Sequence, residues 1–390
     1  MRALLIVNPH ATSTTSGRRD VIVRALKSAV DLEVVQTRYR GEATGLAATA
    51  AADKFGLVIT LGGDGTVNEA VNGLLGGATQ SDTDEVAPPA DAADLPALAA
   101  LPGGSANVFV RSLNLPDDPV EAAARLIADL AAGKERWIGL GRANGRYFTF
   151  NAGLGLDAEV VRAVDGMRAH GSSLSPALFA RTALRQYYRV TDRRQPAITV
   201  TAPAGLCPDL LFLCIVSNSA PWTYLGRRPV NASPQASFDT GLDLLGFASL
   251  GTLATLRALR QMLASQPRPP HGHSLIAAHD LPILALAASR PLAFQIDGEY
   301  MGEAEKVCFR SMPLALRVVG LPISPPLPKR PGAFKSVFAV TSIGRGAGEG
   351  RRRGPRAAHQ LITPVESYAG HRTHASYVTD LTPKSLRTFA

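Results

Sequence analysis

The chain has 390 residues, 46% hydrophobic and 19% charged, which is enough apolar content for a sizeable core and too much for a disordered polymer. Its formal net charge of +9 points at first to a nucleic acid, yet 11 basic and 3 acidic residues lie from Lys329 onward, leaving 30 and 29 to residues 1–328. The near-neutral remainder excludes nucleic acid as its partner, and three scattered cysteines (Cys207, Cys214, Cys308) exclude a disulfide framework or a paired-cysteine zinc site.

In chain order, residues 3–7 read as a short buried strand, 20–30 as a helix and 32–36 as a second strand. An alanine-rich helix at 42–54 leads to a fully apolar strand at 55–61, and a third helix opens at 68–75. Residues 76–97 form an acidic, Pro- and Ala-rich insert, read as a mobile loop, before a strand at 98–101 and a helix at 119–132. This βαβα order implies an open, mostly parallel sheet with helices on both faces over residues 1–133. From 134 to 320 short β-like runs dominate (137–140, 147–150, 197–201, 210–216, 243–247, 283–287, 292–296, 307–309 and 314–318), so the second domain reads as an antiparallel β-sandwich. Helices at 178–190 and 250–265 interrupt it. Residues 321–390, Pro-rich and then Gly/Arg-rich, have no apolar period and read as a largely disordered tail. The apolar run at the start ends at Val7, and the stretch 281–294 is broken by Arg290 and Pro291, so neither a leader nor a membrane span is visible and a cytoplasmic location is expected.

The sharpest motif is LGGDGTVNE at 61–69, between a buried strand and a helix. Glycines let backbone approach a phosphate, a helix N-terminus supplies positive potential, and a carboxylate at Asp64 can orient Mg²⁺ on nucleotide phosphates. The plainer alternative is a tight βα turn with Asp64 and Asn68 as caps. Two more polar turns, NPHAT at 8–12 and LPGGSAN at 101–107, fall on the same sheet edge, where ligands bind in open α/β sheets. The second motif, FQIDGEY at 294–300, is a hairpin turn in isolation; beside a nucleotide site its carboxylates could take the proton of a phosphoryl acceptor.

LGGDGTVNEAVNGL, LPGGSANVFVRSLNLP, FNAGLGLDAEVV and FQIDGEYMGE, in this order, resemble the diacylglycerol kinase-like lipid kinases, a family that also holds sphingosine kinases; the segment NSAPWTYLGRRPVNASPQASFDTGLDLLGF resembles its actinobacterial branch. The resemblance covers about residues 1–320 and implies an ATP- and Mg²⁺-dependent enzyme. It places Asn8, Pro9, His10, Ala11 and Thr12 in the first nucleotide loop, Thr37 after the second strand, and Gly62, Gly63, Asp64, Gly65, Thr66, Val67, Asn68 and Glu69 in the central phosphate loop. Ser105 stands where the family usually has threonine, and Val108 replaces an aspartate. Glu299 matches the general base, with Asp297 and Gly298 shaping its turn, and Asp239 is the expected ligand of a structural Mg²⁺, although Thr240 takes the place of a neighbouring aspartate.

The implied reaction is transfer of a phosphoryl group to a lipid hydroxyl, diacylglycerol giving phosphatidic acid, with sphingoid bases and polyprenols as alternative acceptors. A soluble nucleotide kinase and a nucleotide- or lipid-binding regulatory protein without catalysis remain as alternatives. The segment around 178–194 carries Arg181, Arg185, Arg189, Arg193 and Arg194 among Phe179, Leu184, Tyr187 and Tyr188. Such a helix either rests on an anionic membrane, making the enzyme peripherally membrane-associated, or packs its apolar stripe on the second domain. An exposed edge strand would allow a homodimer.

Overall fold

Strands that must be buried on both faces carry no polar alternation, and the N-terminal half follows that rule. In the computed structural model β1 (Arg2–Val7), β3 (Leu57–Gly62) and β4 (Ala97–Pro102) are buried almost throughout, while β2 (Asp31–Gln36) alternates because it is the sheet edge. They lie parallel in the order β2-β1-β3-β4. The structure describes residues 1–9, 11, 15–76, 94–169, 181–183, 185–190, 195–203, 205–206 and 210–320. All of these fall in one unit, Met1–Phe338; the second unit, Ala339–Ala390, and with it most of the tail, lies outside the described residues, as does 77–93 of the acidic insert.

Helices α1 (Ser16–Lys27) and α5 (Pro119–Ala131) cover one face of the parallel strands, and α2 (Glu42–Ala52), α3 (Asp64–Leu75) and the short α4 (Val108–Ser112) cover the other. Asp118 caps α5 by accepting from Val120 N and Glu121 N, with Pro119 in the first turn, where a missing N–H costs nothing. The third helix opens at Asp64, one turn earlier than its periodicity predicts, because glycines at 63 and 65 hide the start. The small residues of α2 let α3 come close: a Cβ added to Gly73 would run into the carbonyl oxygen of Thr44.

The C-terminal half is antiparallel. Its strands are β5 (Glu135–Ala143), β6 (Arg146–Phe148), β7 (Asn151–Gly155), β8 (Ile198–Ala202), β9 (Gly205–Leu206), β10 (Leu213–Ser217), β11 (Thr223–Leu225), β12 (Arg228–Val230), β13 (Leu242–Phe247), β14 (Leu275–Leu281), β15 (Ile283–Ile296) and β16 (Glu299–Val319). The main path runs β14-β13-β10-β7-β15-β16, with β5 and β6 branching from β16 and β8 and β9 from β15. The long β16 carries the connection between the two halves: its first part pairs β15, its last part pairs β5, and Val318 meets Leu98 of β4 in parallel. Short runs at 307–309 and 314–318 are thus parts of one strand bent at an irregularity between Met312 and Leu316, where Leu314 takes a positive φ of 50°.

Among the described residues two helices of eight residues or more pack on this half. The first, α6 (Leu156–Ala169), was hidden in the sequence by its polar start; the second, α7 (Thr252–Met262), sits inside the expected 250–265. Of the basic helix expected at 178–190, residues 181–183 and 185 are helical and Gln186–Val190 form a π turn, while 178–180 and 184 lie outside the described residues together with Arg193 and Arg194. Among the described residues no helix is long and apolar enough to cross a membrane.

The α2–α3 contact gives a direct test of the packing. Gly73→Ala is expected to destabilise the fold by about 1–3 kcal/mol, because a backbone carbonyl must move to admit one methyl group; the midpoint of urea unfolding reports it.

Candidate functional site

The site grows from the C-terminal ends of the parallel strands. After β1, Asn8 donates its backbone N–H to Leu61 O (2.9 Å), and its side-chain amide donates to Thr66 Oγ1 (3.3 Å). Thr37, beyond β2, ties back to Val7 O through its N–H (2.9 Å) and its hydroxyl (3.4 Å). Two glycine pairs touch across the ends of β3 and β4: a Cβ on Gly103 would lie 2.8 Å from Gly62 Cα, and one on Gly104 2.7 Å from Gly63 Cα. Only glycine lets these loops meet backbone to backbone at the strand ends, where α3 begins and the first-turn N–H groups of Thr66 and Val67 close onto Gly63 O at 3.0 and 3.3 Å. Pro9 and Ser105 are exposed at this rim, Ala11 closes the first loop by donating to Asn8 O, and His10 and Thr12 lie outside the described residues.

The carboxylates of the central loop are committed to helix ends. Asp64 accepts from Val108 N and Phe109 N, both at 3.0 Å, so it caps α4; replacing an aspartate with valine at 108 leaves this contact intact because backbone makes it. Although the residue keeps some solvent contact, its carboxyl is enclosed, and burial pushes its pKa up to about 6 against the lowering effect of the two N–H donors. Glu69 accepts from Gly41 N (2.8 Å) and Ala43 N (3.2 Å) and caps α2; burial raises its pKa as well. Val67 points into the apolar core rather than the site.

Asn68 leads from the loop to the second motif. Its amide donates to Tyr147 O (2.9 Å) and to Asp297 Oδ2 (2.8 Å), and its Oδ1 accepts from Arg146 Nη2 (2.6 Å) and Nε (3.1 Å). Asp297 is buried, and it accepts in addition from Thr149 N (2.7 Å), Thr149 Oγ1 (2.9 Å), Phe150 N (3.0 Å) and Asn151 N (3.2 Å). Asp297 and Gly298 both adopt positive φ, 47° and 75°, the two-residue hairpin turn for which Asp-Gly is suited. Gln295 holds the same turn from behind: its Oε1 accepts from Gly298 N (2.9 Å), and its Nε2 donates to Asn151 Oδ1 and to Asp157 Oδ2, both at 2.8 Å.

The turn delivers Glu299 to the start of α3, where a Cβ on Gly65 would collide with its carboxylate. Two arginines flank Glu299 Oε2, Arg40 at 3.1 Å and Arg146 at 3.9 Å. Sequence reasoning missed both. Their signal was position: Arg40 follows β2 on the strand-end edge, and Arg146 opens β6 directly after the turn from β5. The result is a carboxylate and two guanidinium groups at an anion-attracting helix N-terminus.

Asp239 is placed elsewhere. It lies 53% exposed in a turn, paired with Arg136 at 3.2 Å, and among the described residues no group of three or more His, Cys, Asp or Glu side chains is arranged to hold a metal ion.

Asp157 offers a pH test of the scaffold behind the turn. Its carboxyl is enclosed beside Gln295, and burial lifts its pKa from 3.8 to about 6. An acid whose pKa is raised by folding binds more protons folded than unfolded between these values, so its contribution to stability is present below the lower value and lost as pH rises through the upper. Asp157→Asn, which can still accept from Gln295, should match wild type near pH 4 and exceed it by roughly 1–3 kcal/mol near pH 8; denaturant unfolding at the two pH values is the measurement.

Residues 2–136 match the family model described as the diacylglycerol kinase catalytic domain. A diacylglycerol kinase of Bacillus subtilis (strain 168) is 34% identical over 161 residues, 40% of this chain and 46% of its own length. One from Staphylococcus epidermidis (strain ATCC 12228 / FDA PCI 1200) is 32% identical over 154 residues, 38% of this chain and 41% of its own. The chain therefore spans less than half the length of these curated relatives. Among solved structures, a diacylglycerol kinase from Bacillus anthracis str. Sterne aligns with a TM-score of 0.58 at 20% identity over 82% of this chain and 97% of that one. A second structure from the same organism gives 0.63 at 24% over 82% and 98%. At such identity these likenesses speak for the fold. The glycine loops at the ends of β3 and β4 thus lie within the region, residues 2–136, that is similar to the diacylglycerol kinase catalytic domain family.

Proposed function

We propose that the chain is an ATP- and Mg²⁺-dependent kinase that phosphorylates a lipid hydroxyl, with diacylglycerol as the acceptor. One observation carries this reading: Glu299, from the far end of the chain, is held against the first turn of α3, beside the glycine loops and between Arg40 and Arg146. A nucleotide-binding module that performs no chemistry has no need for a carboxylate delivered to its phosphate end.

In this reading residues 1–133 hold the nucleotide and residues 134–320 present the lipid. The N–H groups at the start of α3 and the backbone of the paired glycine loops would bind phosphate oxygens. Arg40 and Arg146 would exchange their pairing with Glu299 for the negative charge of the transferring phosphoryl group, which releases the carboxylate to accept the proton of the acceptor hydroxyl. The donor set suits a magnesium ion that arrives on the phosphates and keeps most of its waters, since Asp64 has lone pairs to spare and its neighbours Glu69 and Asp297 are spent on backbone donors. Bound there, such an ion would neutralise charge on the phosphate oxygens. Positioning, rather than covalent chemistry, would supply the rate.

Glu299→Gln should lower turnover by roughly 10²–10⁴-fold while ATP binding persists; near-wild-type turnover removes Glu299 from the base role. Arg40→Gln should raise the KM for ATP by about tenfold, the worth of one charge-assisted contact. Both are read in a labelled-ATP assay offering diacylglycerol, sphingosine, polyprenol and NAD as acceptors. Absence of labelled product from every acceptor, in a chain that binds ATP, would sink the kinase reading in favour of a regulatory one.

A further inference from the structure

Helix α7 has its apolar residues on the wrong side for a water-soluble surface. It buries Ala258 and Met262 against the antiparallel half, while Leu253, Leu256 and Leu259 point outward at 63%, 57% and 39% exposure. On a 3.6-residue period these leucines share the outward face with Arg257 and Arg260, both exposed. No Asp or Glu occurs between Asp243 and Asp280, so nothing acidic on this stretch of chain offsets the arginines. The neighbouring segment extends the surface. Tyr187 donates its hydroxyl to Leu250 O, just before α7, at 2.6 Å and lies 3.4 Å from Thr255 Oγ1 in the helix itself, and the adjoining Tyr188 is half exposed. The basic, aromatic stretch singled out in the sequence thus meets α7 through Tyr187.

We propose that the outward face of α7, continued by Tyr188, is the surface by which this protein docks on an anionic lipid bilayer. Leucines and arginines on one helix face match the two layers of a membrane interface, the acyl boundary and the negative headgroups. Eleven residues, about 16 Å of helix, are too few to cross a bilayer, so α7 lies in the plane of the interface. A second copy of the chain is a poorer occupant, because a two-fold contact through this face would set Arg257 and Arg260 against their own counterparts. The choice of lipid over an acidic protein rests in part on the lipid-kinase reading; the surface itself does not.

The test uses the full chain and sedimentation with vesicles of phosphatidylcholine containing about a third phosphatidylglycerol, free of diacylglycerol and ATP. The Leu253→Ser, Leu256→Ser, Leu259→Ser triple variant should bind at least tenfold more weakly with unchanged thermal unfolding. Arg257→Gln with Arg260→Gln should weaken binding about tenfold on anionic vesicles only. Hydrogen exchange should slow in the amides of α7 when vesicles are added. The proposal is overturned by equal vesicle binding of the triple variant, by protection confined to residues 321–390, by no vesicle binding of the wild type, or by a wild-type dimer that the triple variant turns into monomer. Because these vesicles hold no substrate, a chain that docks through α7 yet phosphorylates no lipid would end the kinase reading and leave this one standing.

Discussion

The candidate site depends on one buried carboxylate. Asp297 takes hydrogen bonds from three consecutive backbone N–H groups, those of Thr149, Phe150 and Asn151, from the Thr149 hydroxyl and from the Asn68 amide. Those donors belong to the β6–β7 connection and to α3, while Asp297 itself sits in the turn between β15 and β16. A carboxylate with this many donors has little freedom left, so the antiparallel half is pinned to α3, the helix of the central glycine loop, at this point. Glu299, two residues on, inherits its position from that pin. Gln295 adds a second restraint through Gly298, with the enclosed Asp157 and Asn151 on its far side.

The acidic residues of the central loop divide their labour by what surrounds them. Asp64 and Glu69 face helix N-termini whose N–H groups need acceptors, and each satisfies two of them. These caps orient α2 and α4 around α3 and keep the glycine loops in register with the strand ends. Glu299, by contrast, has side-chain partners alone among its ion pairs, and these are guanidinium groups that another anion could take over. The same residue type is architecture in two places and a candidate reagent in the third, according to whether backbone or side chain opposes it.

The two halves are joined through β16, which begins at Glu299 and ends beside β4. The candidate carboxylate and the scaffold therefore share one strand: a shift in its register against β15 would move the carboxylate, and a shift against β5 would disturb the seam with the parallel sheet. Helix α7 turns leucines to solvent while Ala258 and Met262 pack into a core cluster of the antiparallel half.

Much of the parallel half was legible from the sequence, because strands buried on both faces write themselves as continuous apolar runs and glycines mark their ends. The glycine loops, the Asp-Gly turn and the family resemblance could all be read from local pattern. What local pattern could not supply was the partner of each polar group. Arg40 and Arg146 lie 259 and 153 positions from Glu299, and nothing in their neighbours announces the pairing. Helix α6 opens with polar residues that masked its period, and the runs at 307–309 and 314–318 concealed a single bent strand. The sequence by itself determined which segments are buried and where the backbone turns, since hydrophobic burial and glycine conformation are properties of short stretches. Tertiary structure alone decided which carboxylates cap helices and which one faces the arginines, since a charge takes its role from neighbours that only folding brings within hydrogen-bond reach.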